Sequence, residues 1–133
     1  MTLVADAVLI VEDEYLIAEL LVSMVETIGL TVCGTAASAD EATALARNHR
    51  PGLVLMDVRL QGPRDGIDAA LEIHEQVGSR VIFVTGSQEP STVARIHQDH
   101  PSAVLFKPVS FGLLRKTVQD VIGGGAPPSP VPA

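Results

Sequence analysis

Five short apolar runs, at 7–11, 30–36, 53–56, 81–84 and 103–106, alternate with longer stretches in which apolar positions recur every three or four residues. The runs read as strands. Those at 7–11 and 53–56 are unbroken, as expected of strands covered on both faces of a parallel sheet. After the first, Leu16, Ile17, Leu20, Leu21, Met24, Val25 and Ile28 follow a helical period, and Gly29 supplies a C-terminal stop. Ser38-Ala39-Asp40-Glu41 has the spacing of a capping box: the Ser38 hydroxyl accepts from a first-turn amide and Glu41 reaches back to the Ser38 amide. It opens a second helix, with Ala42, Leu45 and Ala46 inward, which Pro51-Gly52 breaks. A third helix turns Ile67, Ala70, Leu71 and His74 inward. A fourth starts at Pro90 and has little apolar surface beyond Val93 and Ile96. A fifth, from Ser110, uses Phe111, Leu114, Val118 and Ile122.

Five strands alternating with five helices predict an α/β, flavodoxin-like, doubly wound sheet of five parallel strands in the order 2-1-3-4-5, with helices on both faces. Residues 1–122 are expected to form this one domain, and the Gly/Pro-rich residues 123–133 a disordered tail. A chain of 133 residues, 47% of them hydrophobic, can bury one core without disulfides or structural metals. One Tyr, three Phe and no Trp leave that core to Val, Leu, Ile and Ala.

Charge narrows the partners. A net charge of -7 with no basic stripe argues against nucleic-acid backbones and anionic lipid surfaces. No apolar run approaches the roughly 20 residues that cross a bilayer, and the N-terminus lacks a leader pattern, so a cytoplasmic location is expected. Cys33 reads as a strand residue in a reducing compartment. His49, His74, His97 and His100 are scattered; His97 and His100 have a metal-compatible spacing but read as a solvated helix end.

The polar residues at the ends of the apolar runs carry the chemistry. Glu12 and Asp13 come after the first run, Asp57 after the third, Thr85 after the fourth and Lys107 after the fifth. In a doubly wound sheet all of these face the crevice beyond the carboxyl ends of the strands. Three carboxylates gathered there repel one another unless a cation is shared, and an oxygen-only set suits Mg²⁺ (or Mn²⁺). Asp57 is the natural nucleophile toward phosphorus, Lys107 can pair with Asp57 or a phosphoryl oxygen, and Thr85 offers a hydroxyl. Each residue alone has a plainer reading: a strand-end Asp often caps a helix, and Glu12-Asp13-Glu14 could serve the positive end of the first helix. Their joint placement at four strand ends favours the chemical reading.

Val11-Glu12-Asp13-Glu14, Leu55-Met56-Asp57-Val58, Val84-Thr85-Gly86 and Phe106-Lys107-Pro108 together resemble the receiver domain of bacterial response regulators over about residues 7–122. The resemblance implies a phosphoacceptor in a two-component system or phosphorelay. Asp57 would take a phosphoryl group from a sensor histidine kinase or histidine phosphotransfer protein. Glu12, Asp13, Asp57 and the backbone carbonyl of Arg59 would hold the metal, Thr85 would be the switch hydroxyl, and Lys107 would pair with phosphate. The Lys107-Pro108 bond is typically cis in that family. Such a domain is not an enzyme toward other substrates; it catalyses only its own phosphorylation and dephosphorylation. Its output is altered binding of a downstream protein, through the Thr85 loop and the following helix, and a homodimer is left open.

Most receivers carry an aromatic residue or His three positions before the lysine, where this chain has Val104. Phe83-Val84-Thr85-Gly86 resembles a subclass lacking that aromatic, named FAT GUY for its motif, although Ser87-Gln88 departs from it. Among other readings, haloacid-dehalogenase-like phosphatases place the nucleophile after the first strand with a second Asp two residues on; here Asp57 comes after the third, and Arg59 stands at that position. A flavodoxin-like cofactor binder would need a Gly-rich or hydroxyl-rich loop after the first strand. A receiver that has kept only a docking role is the remaining alternative, against which the complete site argues.

Overall fold

The computed structural model describes residues 2–98 and 101–123. Its elements run β1 (Val4–Val11), α1 (Tyr15–Ile28), β2 (Thr31–Ala36), α2 (Ala39–His49), β3 (Pro51–Met56), α3 (Gly66–Gln76), β4 (Arg80–Thr85), α4 (Pro90–Gln98), β5 (Ala103–Phe106) and α5 (Phe111–Gly123). The five strands are all parallel, in the order β2-β1-β3-β4-β5. The expected fold and strand order are therefore both observed. The tail expected over 123–133 lies outside the described residues beyond Gly123, as does His100.

Strand alternation divides the core into two layers. Val8, Ile10, Leu53, Leu55, Ile82 and Val84 face α1 and α5, meeting Leu21, Val25, Leu114 and Val118. Leu9, Val11, Val54, Met56 and Phe83 face the other way, toward Ala42 and Ala46 of α2, Ala70 and Ile73 of α3, and Ile96 of α4. Each fully buried Leu, Ile or Phe contributes about 1.5–3 kcal/mol relative to exposure. β1, β3 and β4 supply the largest of them, which makes the middle of the sheet the rigid base of the site.

Helix faces differ from expectation in several places. On α1 the buried residues are Ala18, Leu21 and Val25, while Leu16 and Leu20 are 79% and 53% exposed. On α3 the inward residues are Ile67, Ala69, Ala70 and Ile73; Leu71 and His74 point outward. On α5, Val121 is buried in place of Ile122, which is partly exposed. A helix lying on a sheet buries one narrow stripe, so where apolar residues are in excess the second stripe remains in solvent. Pro51-Gly52, expected to break α2, also begins β3; a proline is tolerated at the first residue of a strand. The capping bond of Ser38 forms as expected, at 3.2 Å from the Glu41 amide, but the Glu41 carboxylate takes the Ala37 amide rather than that of Ser38. The reciprocal capping box belongs to α3, between Asp65 and Asp68.

Candidate functional site

Three ladder hydrogen bonds continue one residue past the strands and so place the side chains of the crevice. The amide of Glu12 donates to Ala36, that of Asp57 to Val11, and that of Lys107 to Thr85, each at 2.9 Å. Glu12 and Asp57 consequently sit at the β1/β3 switch point, where the order of connections reverses. Both are buried, at 4% and 6% exposure. Carboxylate oxygens of Glu12, Asp13 and Asp57 lie within 4.8 Å of one another. Lys107 reaches in from β5, its Nζ 3.0 Å from Asp57 Oδ2 and 2.7 Å from Glu12 Oε1. The other Asp57 oxygen accepts the Val58 amide at 2.7 Å, and Glu12 Oε2 accepts that of Glu14 at 3.1 Å.

The electrostatics are set by this crowding. Burial pushes the Glu12 carboxyl above its ordinary value; the Lys107 ammonium and the Glu14 amide oppose it, and the Asp57 charge adds to it. Burial alone would lower the Lys107 ammonium, but Glu12 and Asp57 outweigh it and hold the group above its usual range. Glu12 Oε1 touches Lys107 as a charge contact without hydrogen-bond alignment, so it remains a buried oxygen short of a partner. A converging set of carboxylate oxygens, one of them under-satisfied, suits a hard divalent cation.

Above this floor opens a cleft of about 520 Å³, lined among others by Asp13, Asp57, Arg59, Thr85, Glu89 and Lys107. Every residue singled out for the site except Glu12, which lies beneath it, is on that lining. Thr85 is almost fully buried, and its hydroxyl accepts the Ser87 amide at 3.1 Å. Arg59 turns its guanidinium outward, 3.8 Å from Glu89 across the mouth. The Lys107-Pro108 peptide is cis, as the resemblance implied. Cys33 packs half-buried against the α2-side core, and burial pushes its thiol up, in keeping with a structural role.

Sequence reasoning passed over three features here: Glu89 at the mouth, the close approach of Gly66 to Asp57, and the pairing of Asp65 with Arg95. Asp65-Gly66 followed by Asp68 does carry a helix-start signal in the sequence. The contacts themselves join segments 9 and 30 residues apart, which no local pattern records.

Comparison with known proteins gives a consistent picture. The family model for the response regulator receiver domain matches residues 8–119. The transcriptional regulatory protein PdtaR of Mycobacterium tuberculosis is 38% identical over 112 residues, covering 84% of this chain and 54% of that protein. The polar-differentiation response regulator DivK of Brucella anthropi is 32% identical over 120 residues, covering 88% of this chain and 96% of its own. Among solved structures, the signal receiver domain of a modulated diguanylate cyclase from Desulfovibrio desulfuricans superposes with a TM-score of 0.84 at 33% identity, covering 89% of this chain and 94% of that one. The chain spans about half the length of PdtaR, so that protein's activity as a whole is not carried by the match.

Proposed function

The chain belongs to the response regulator receiver domain family, and from that membership we propose that Asp57 is a phosphoacceptor charged by a sensor histidine kinase or histidine phosphotransfer protein. The observation that carries this reading is the buried Asp57 carboxylate, flanked by Glu12 and Asp13 within 4.8 Å and contacted by Lys107 at 3.0 Å. In the transfer, an Asp57 carboxylate oxygen bonds to phosphorus as the phosphorus–nitrogen bond to the donor imidazole breaks, and the imidazole leaves with the electron pair. Glu12, Asp13, Asp57 and the Arg59 carbonyl would hold Mg²⁺ (or Mn²⁺), which supplies charge neutralisation on the phosphoryl oxygens. Lys107 is free to exchange its carboxylate partner for a phosphoryl oxygen, because it already stands on Asp57 as a cation. The Thr85 hydroxyl, which accepts the Ser87 amide, would donate its own proton to a phosphoryl oxygen and draw the loop before α4 with it.

That movement would reach a downstream protein through α4, a helix that buries a single residue, Ile96, fully. Few buried contacts are what a moving element requires. The chain's role is signalling, with no reaction on an outside substrate. No helix among the described residues is long and apolar enough to cross a membrane.

Intact mass after incubation with acetyl phosphate tests the chemistry. The expected result is a phosphoryl adduct that requires Mg²⁺ and is absent from Asp57→Asn. A native chain that gains no adduct from acetyl phosphate or from a phosphorylated histidine donor would leave a domain that serves only for docking.

A further inference from the structure

The first residue of α3 presses on the backbone of the phosphoacceptor. A Cβ built on Gly66 would lie 1.8 Å from the Asp57 carbonyl oxygen and 2.8 Å from its carbonyl carbon. Any side chain there must displace the Asp57 peptide or lift α3. Gly66 is not among the residues with positive φ, so glycine is required by close approach and not by backbone freedom. Its amide also donates to Val58 at 2.7 Å, which pins the start of α3 beside Asp57.

One residue earlier, Asp65 does two things. Its side chain caps α3 by accepting the Asp68 amide at 3.0 Å, and it holds Arg95 of α4 at 2.8 Å. Arg95 lies 3.7 Å from Asp68 as well. Because α4 otherwise rests on Ile96, this ion pair is a principal tie between α4 and the rest of the domain.

On the receiver reading above, we propose that the Asp65-Gly66 start of α3 couples the phosphoacceptor to α4. Gly66 is a positioning residue that seats the Asp57 peptide, and Asp65 passes that position to α4 through Arg95. This route is distinct from the Thr85 loop, and it needs no aromatic side chain at Val104. Coupling of this kind is reciprocal: a partner bound at α4 changes affinity at the Asp57 end by the same factor as a ligand on Asp57 changes affinity for that partner, so breaking the link must show at both ends.

The experiment uses beryllofluoride with Mg²⁺ as the phosphoryl mimic, its affinity read by calorimetry and α4 mobility by amide hydrogen exchange. Arg95→Gln and Asp65→Asn keep their polar shape and should fold. Each is expected to speed α4 exchange and to change beryllofluoride affinity about two- to fivefold, in the same direction, the range set by a partly exposed ion pair. The double variant should do no more than either single one, because both break one link. Gly66→Ala should weaken affinity by tenfold or more, whereas Gly78→Ala, a left-handed glycine with no atom near its Cβ, should destabilise the fold and leave affinity unchanged. Faster α4 exchange with unaltered affinity, or additive single effects, would overturn the coupling. If Gly66→Ala does not fold, the Arg95 and Asp65 cycle decides alone. A native chain that neither binds beryllofluoride nor accepts phosphate removes the receiver reading, and the coupling with it.

Discussion

Glu12 holds the site's internal conflict. Its side chain is 1% exposed, and its carboxyl is raised because burial outweighs the help of Lys107 and the Glu14 amide. A group whose folded pKa lies above the unfolded one favours the fold most below its ordinary value and loses that contribution as pH rises. Above that range the charge is a cost to the fold, one that the proposed metal-holding role would account for. Glu12→Gln keeps the shape and removes the charge. It is expected to gain about 1 kcal/mol of metal-free stability, a few degrees in Tm, and to lose tenfold or more in Mg²⁺ affinity. Thermal melts with and without Mg²⁺ check this, and a lower metal-free Tm in the variant would show that the carboxylate stabilises the fold. Glu12, Asp13, Asp57, Thr85 and Lys107 were legible in the sequence because each stands at the end of an apolar run. Gly66 was not, because a clash with Asp57 exists only after the β3–α3 loop has closed.

Between elements, α2 and α3 are joined by charge as well as by alanines. Arg64 bridges Asp40, at 2.9 Å, and Glu72; Arg47 reaches Glu72 at 2.9 Å and Gln76 at 2.6 Å. Arg64 is the chief reason that the Glu72 carboxyl lies below its ordinary value. The sign is opposite to that of Glu12: a depressed carboxylate contributes above its unfolded pKa, and the contribution disappears as pH falls through the lower folded value. Arg64→Leu should therefore lower the urea midpoint at pH 7 and flatten its decline in acid, with an effect under about 1 kcal/mol because the pair is partly in solvent. Parallel declines for native and variant chains would show that the cluster is neutral for stability. At this scale the sequence indicated each helix's existence but not always its inward stripe. Leu16, Leu20 and Leu71 fit a helical period as well as Ala18, Leu21 and Ile73 do, and the sheet's shape chose between them.

Across the whole molecule, the apolar stripe that α1 leaves in solvent adjoins the cleft. Ile17 and Lys107 line both the cleft and a neighbouring groove that continues through Leu20, Met24 and Val109. On the proposed reading, a protein donor would bring its phosphohistidine over this edge, whereas a small donor need not. Leu20→Glu, in that groove and 53% exposed in the native chain, is thus expected to slow transfer from a cognate histidine phosphotransfer domain about tenfold or more and to leave the acetyl phosphate rate near its native value. Equal slowing of both would place the effect in the site and not in docking. The alternation of strands and helices, the parallel sheet and the polar residues gathered at its strand ends were determined by the sequence alone, since hydrophobic period and the residue closing each run are local properties. The pairing of Arg59 with Glu89, the seating of Gly66 on Asp57 and the Arg95 link to Asp65 were decided only by the tertiary structure. Those contacts depend on how segments distant in the chain approach one another, a distance that neither periodicity nor residue type encodes.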